Sequence, residues 1–201
     1  MKIVSLALAA LMLFAGPAAV LAEPPLAEIK STTEGILVLL KDPKLQGDSK
    51  KAERQQLVRA QMEKRFAWEQ SARACLGRHW TGRTPAEKAE FIKIFSEFLK
   101  DTYSDKIATY YNNLDKIDYQ GEKIIDDYAS VKLLLTTKAK VDHPVEYRMQ
   151  KSASGDWMVY DVVIEGISLI KNYRDQFDAI LAKSSYEGLI KEIKTKHPEA
   201  P

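Results

Sequence analysis

One cysteine, Cys75, stands in 201 residues. No internal disulfide can form from it, so the fold must hold by packing alone. Histidines number three, His79, His143 and His197, and no pair has the spacing of a metal site. There is no G-x-S-x-G elbow, and no glycine-rich loop follows a strand pattern. These absences speak against a zinc site and a serine hydrolase. Cys75 and His79 are four apart, but Gly77 interrupts the helix that would align them. A buried structural thiol is therefore favoured over a Cys–His nucleophile. The formal net charge of +2 is far from the strongly basic balance, with pI above ~9, that marks nucleic-acid binders.

Long apolar runs are also missing, with one exception at the start. Lys2 is followed by the apolar run Ile3 to Phe14, the break Gly16-Pro17 and small residues up to Ala22. This is the layout of a secretory signal peptide, and the run falls short of the ~20 residues that a spanning helix needs. Cleavage after Ala22 leaves residues 23–201 as one domain, 179 residues long with a formal charge of +1, since Lys2 is the only charge in the leader. That length suits one core with room for a cavity. A location beyond the inner membrane, in the periplasm, and no membrane-spanning segment in the mature chain are the expectations.

Helical periodicity fills the first half. Ile29, Ile36, Leu37, Leu39 and Leu40 mark a helix that stops before Asp42-Pro43, and a charged helix from about Asp48-Ser49 carries Leu57, Val58 and Met62. A helical piece from Phe66 to Leu76 ends at Gly77. Thr84-Pro85-Ala86-Glu87 then has capping-box spacing with proline at the first helical position. The stripe Phe91, Ile94, Phe95, Phe98, Leu99, Tyr103 and Ile107 follows. After Asn112-Asn113 the period falls to two. Three or four strands are expected, at Ile117–Ile125, Val131–Val141, Val145–Gln150 and Trp157–Ile164. Helical spacing returns from Ser168, with Leu169, Ile170, Tyr173, Phe177, Ile180 and Leu181, and a last helix carries Leu189, Ile190 and Ile193. Helices, then an antiparallel sheet, then helices make an α+β fold.

Candidate chemistry is sparse. Asp161 and Glu165 are four apart on a strand, so they project from one face and could place two carboxylates in a cleft. A structural role outweighs this. Glu165-Gly166 stands where strand becomes helix, so the Glu165 carboxylate is expected at the free N–H groups of that helix, with Asp161 paired to a basic residue such as Arg174. No catalytic or metal-ligating set is assigned.

The segment YDVVIEGISLIKNYRDQF at 160–177 resembles the signature of the MlaC family, also called the toluene-tolerance auxiliary family. Its marked positions here are Asp161, Glu165, Gly166, Asn172, Tyr173 and Arg174. Phe66, the run Ala74-Cys75-Leu76-Gly77-Arg78-His79-Trp80, Thr84-Pro85 and Glu90-Phe91 resemble the family's helical block. Val145–Met149 and Gly155-Asp156-Trp157 resemble its later strands, and the likeness extends from about Pro25 to Lys196. Ala67 departs from the acidic residue that many relatives carry there.

The resemblance implies an NTF2-like or cystatin-like α+β fold, with a curved antiparallel sheet and N- and C-terminal helices around a deep apolar pocket. It further implies a periplasmic carrier, not an enzyme, that takes a diacyl phospholipid as cargo and needs no cofactor. Its partners would be an outer-membrane lipoprotein–porin complex and an inner-membrane ABC transporter with an MCE ring. Nucleic acid is not among the expected partners. The residues expected against the lipid are Val131, Leu133, Leu135, Tyr147, Met149, Val159 and Val163 on strands, with Phe95, Leu99, Ile167 and Ile170 on helices. An enzyme on a small apolar substrate, using Asp161, Tyr147 or Tyr173, and a periplasmic adaptor or chaperone with a solid core stay open as alternatives.

Overall fold

Local chemistry sets the helix ends. In the computed structural model, which describes residues 23–195, α1 (Pro25–Lys41) begins with proline in its first turn and ends at Asp42, ahead of Pro43. A residue before proline is driven out of the helical region. The expected leader, 1–22, and the tail with His197 lie outside the described residues. Helix α2 (Lys51–Arg65) follows a short 3-10 turn, and α3 (Trp68–Leu76) is closed by Gly77 at φ +51°. Helix α4 (Pro85–Asn112) starts with the expected capping box. The Thr84 hydroxyl accepts from the Glu87 N–H, and the Glu87 carboxylate accepts from the Thr84 N–H at 2.7 Å.

The second half forms a meander of five strands, against the three or four expected. These are β1 (Leu114–Ile125), β2 (Tyr128–Thr137), β3 (Asp142–Lys151), β4 (Trp157–Ile164) and the two-residue β5 (Ile167–Ser168), all antiparallel in sequential order. Together with α5 (Leu169–Leu181) and α6 (Tyr186–Thr195) this is an α+β fold. Glu165 and Gly166, with φ of +51° and +83°, make the tight reversal into β5. The free edge of β4 is covered by the start of α3: Ala67 N–H donates to Val159 O at 2.8 Å, and Ser71 Oγ to Tyr160 O at 2.9 Å.

One irregularity decides which side chains face inward. Arg148 pairs with Asp161 but Met149 pairs with Val159, so Tyr160 is an extra residue in β4. This bulge shifts the alternation by one. Val159 before it and Val162 and Ile164 after it join the sheet's inner apolar face or its fringe, while Val163 is turned to the opposite face.

Apolar side chains gather in three clusters. One unites α3–α6 around Phe91, Phe95, Tyr173 and Phe177. Another joins the inner face of the sheet to Ile29 of α1. A third, around Val58 and Met62, binds α1 to α2 and the C-terminal turns of α4. A cavity occupies the space where these clusters meet.

Candidate functional site

The cavity has a volume of about 630 Å³, within the ~300–1,000 Å³ of ligand pockets. Its sheet wall is built from Leu135, Val145, Tyr147, Val162 and Ile164. Opposite stand Leu99, Tyr103, Ile107 and Tyr111, one residue per turn along α4. Ile29 and Ile36 of α1, Met62 of α2 and the stacked rings of Phe66 and Trp68, 5.0 Å apart, complete the lining.

The mouth is marked by lining residues that are exposed: Thr109 and Tyr110 at the end of α4, and Glu165 and Ile167 at the turn into β5. Tyr110 is 44% and Ile167 52% exposed. His143 at the start of β3 ties the two sides together. Its Nδ1 is 2.6 Å from the Glu165 carboxylate, and the edge of its ring meets Tyr110 at 5.8 Å.

Charged groups of the wall are engaged by the protein: Asp105 is paired with Lys51 and accepts from Gln55 Nε2, and the Lys106 ammonium lies over the Tyr103 ring. Arg65 pairs with Glu28 and donates to Thr32 Oγ1 and to Trp157 O, each at 2.9 Å. Burial pushes the Tyr147 hydroxyl up to about 12 and raises those of Tyr103 and Tyr111, so all three stay neutral at ordinary pH. Among the described residues no group of His, Cys, Asp or Glu could hold a metal ion.

Four residues expected at the cargo line the cavity: Leu99, Leu135, Tyr147 and Ile167. Phe95 and Ile170 sit in the helical cluster, and Val131, Leu133, Met149 and Val159 in the sheet cluster. Val163 is on the far side of the bulge-shifted strand. Sequence reasoning missed Val145, Val162 and Ile164 on the sheet wall, and Ile29, Met62, Phe66 and Trp68. Tyr111 could have been found, because Leu99, Tyr103, Ile107 and Tyr111 continue the α4 stripe at a spacing of four.

The polar join between strand and helix differs from expectation. It is Asp161, not Glu165, that serves the helix N-terminus: its carboxylate accepts from Ile170 N–H at 3.1 Å and from Ser168 Oγ at 2.7 Å. Its ionic partner is Arg148, at 3.2 Å, and not Arg174. The bulge at Tyr160 accounts for this, since it places Asp161 beside Arg148 and leaves Glu165 at the mouth with His143. Arg174 instead donates from Nε to Ala74 O at 2.6 Å, at the end of α3, with its side chain against Gly77. Tyr173 is buried edge-on to Phe95 and Phe98, and its hydroxyl lies 3.3 Å from that of Tyr103. Asn172 Oδ1 accepts from Gln176 Nε2, one turn along α5.

Fold and site together define an α+β domain organised around a largely apolar cavity that opens to solvent. The chain belongs to the MlaC family: the family model described as MlaC protein matches residues 30–195. The chain is 24% identical, over 119 residues, to the intermembrane phospholipid transport system binding protein MlaC of Haemophilus influenzae, an alignment covering 57% of this chain and 55% of that one. It is 30% identical over 94 residues to the toluene tolerance protein ttg2D of Pseudomonas putida, covering 47% and 43% respectively. The chain thus spans about half the length of these curated relatives. A phospholipid-binding protein from Ralstonia solanacearum, solved in complex with a phospholipid, superimposes with a TM-score of 0.74 at 26% identity, over 87% of this chain and 97% of that one.

Proposed function

We propose that this protein is a carrier of phospholipid, holding the acyl chains in the cavity and the headgroup in water between Tyr110 and Ile167. The observation that carries the reading is the 630 Å³ cavity itself, apolar around most of its wall and open to solvent, in a chain of the MlaC family that superimposes on a phospholipid-bound protein. The energetics suit such a task. Two acyl chains hold about thirty methylenes, and exposing them to water at ~0.8 kcal/mol each costs about 24 kcal/mol. A protein that shields the chains removes most of this barrier without any bond being made or broken, so the role is that of a binding protein and not an enzyme.

No helix among the described residues is long and apolar enough to cross a membrane. We place the mature chain, residues 23–201 after loss of the 22-residue leader, in the periplasm. There it would exchange lipid with an outer-membrane lipoprotein–porin complex and an inner-membrane MCE-domain ABC transporter. Vesicle-to-vesicle transfer tests the carrier role. With a fluorescent phospholipid in donor vesicles, added protein is expected to speed its arrival in acceptors in proportion to protein concentration. A rate equal to the protein-free control would overturn the proposal.

A further inference from the structure

Two tyrosine hydroxyls on the cavity wall have no hydrogen-bond partner among the described residues; Trp68 Nε1 lacks one too, but it is sealed from the cavity as well as from solvent. Tyr111, in the last turn of α4, and Tyr147, in the middle of β3, both line the cavity. Their neighbours Tyr103 and Tyr119 have hydroxyl partners in Tyr173 and Thr33. Among the described residues, those of Tyr111 and Tyr147 have none. Both side chains are half-buried and border the cavity.

A buried tyrosine ordinarily finds a partner for its hydroxyl, and leaving that group unmatched is costly. Phenylalanine would furnish the same wall without the penalty. The hydroxyls therefore call for acceptors brought in by the cargo. Raised by burial, both stay protonated and able to donate at ordinary pH. Of the cationic donors at the wall, Arg65 is already engaged by Glu28, Thr32 and the Trp157 carbonyl, and the Lys106 ammonium lies over the Tyr103 ring.

A diacyl phospholipid carries two uncharged acceptors beside its hydrocarbon, the ester carbonyls. Its phosphate is better left in water. The two tyrosine hydroxyls inside the rim, neutral donors both, match such neutral acceptors in polarity. We propose that Tyr111 and Tyr147 donate hydrogen bonds to the ester carbonyl oxygens of the bound lipid, so that the cavity distinguishes ester-linked from ether-linked chains. This inference rests on the reading of the protein as a phospholipid carrier.

The test is a competition. The mature protein is equilibrated with vesicles containing equal amounts of a diacyl phosphatidylethanolamine and its dialkyl ether analogue, matched in headgroup and chain length, and the bound lipids are weighed by mass spectrometry. The wild type is expected to favour the ester by about tenfold, the worth of two modest hydrogen bonds. The double variant Tyr111→Phe/Tyr147→Phe should take both lipids nearly equally, and its lipid-free form should melt no lower than that of the wild type. If that variant fails to fold, Tyr111→Phe alone should lose about half of the discrimination on a logarithmic scale. Equal uptake by the wild type would mean that water serves the hydroxyls, and would overturn the inference while leaving the carrier intact. Undiminished preference in the folded Phe variants would also overturn it. Uptake of neither lipid would remove the carrier reading and this inference with it.

Discussion

Replacing Leu135 by tryptophan should empty the cavity of cargo without unfolding the protein. Leu135 is half-buried on β2, between Ile117 of β1 and His143 of β3, and its side chain lines the cavity. Tryptophan adds about six heavy atoms at that point, each displacing roughly one methylene of lipid at ~0.8 kcal/mol. The loss approaches 5 kcal/mol, about three orders of magnitude in affinity. Leu134 supplies the control. It is the next residue on the strand and also half-buried, but it faces the other side of the sheet, so Leu134→Trp adds the same bulk outside the cavity. The assay is lipid bound per protein after equilibration with phospholipid vesicles, alongside thermal melts, because overpacking alone can cost ~1–3 kcal/mol. Leu135→Trp should be folded and lipid-free, and Leu134→Trp folded and loaded. Full loading of the first variant, or equal loss from both, would refute the assignment of this wall.

Removing the Asp161 carboxylate by Asp161→Ala strands the Ile170 N–H and the Ser168 hydroxyl and leaves the half-exposed Arg148 with Glu146 as its remaining ionic partner. The expected cost is about 3 kcal/mol, a fall of roughly 10 °C in melting temperature, and an unchanged melt would show the join to be dispensable. Thr84→Ala breaks the capping box of α4 and should cost ~1 kcal/mol in denaturant titrations. Acid should weaken the fold in a defined window. Hydrogen bonds from Thr84 hold the Glu87 carboxyl below its usual range, and the hydrogen bond from Lys100 does the same for Glu97. Groups lowered by folding stabilise the native state above the ordinary carboxylate value of ~4.3, and that contribution is lost as pH falls through their folded values. Melting temperature should therefore drop across this range, less steeply in Glu87→Gln, and an identical slope would count against the capping carboxylate. Cys75 is 1% exposed, and burial raises its thiol against the pull of Arg174. It should react with a thiol reagent only on unfolding, so rapid labelling of native protein would contradict its burial.

Much of the fold is legible where local chemistry and burial agree. The capping box at Thr84, the breaks at Pro43 and Gly77, the strand Trp157–Ile164 and the helix after Ser168 all stand where the residues point. The cavity is harder to read, because a lipid-facing wall and a packed core are written in the same apolar residues. Val131 and Leu135 share a strand face by period two, yet one packs in the sheet cluster and the other borders open space. Only the splay of the helices above them separates the two cases, and no spacing records it. The bulge at Tyr160 is equally silent. Nothing in YDVV shows that one residue is extra, but that residue turns Val163 away, brings Val162 inward and gives Asp161 the role expected of Glu165. Phe66 and Trp68 were missed for a third reason: they flank the junction between α2 and α3, where helical periodicity has no phase to carry forward.

The claim that the cavity holds a phospholipid is tested most directly by native mass spectrometry of the protein purified from its native host without detergent, followed by extraction and identification of bound lipid. The account requires an adduct of diacyl phospholipid mass, lost in Leu135→Trp and kept in Leu134→Trp. A clean apo mass that persists after incubation with phospholipid vesicles would contradict it.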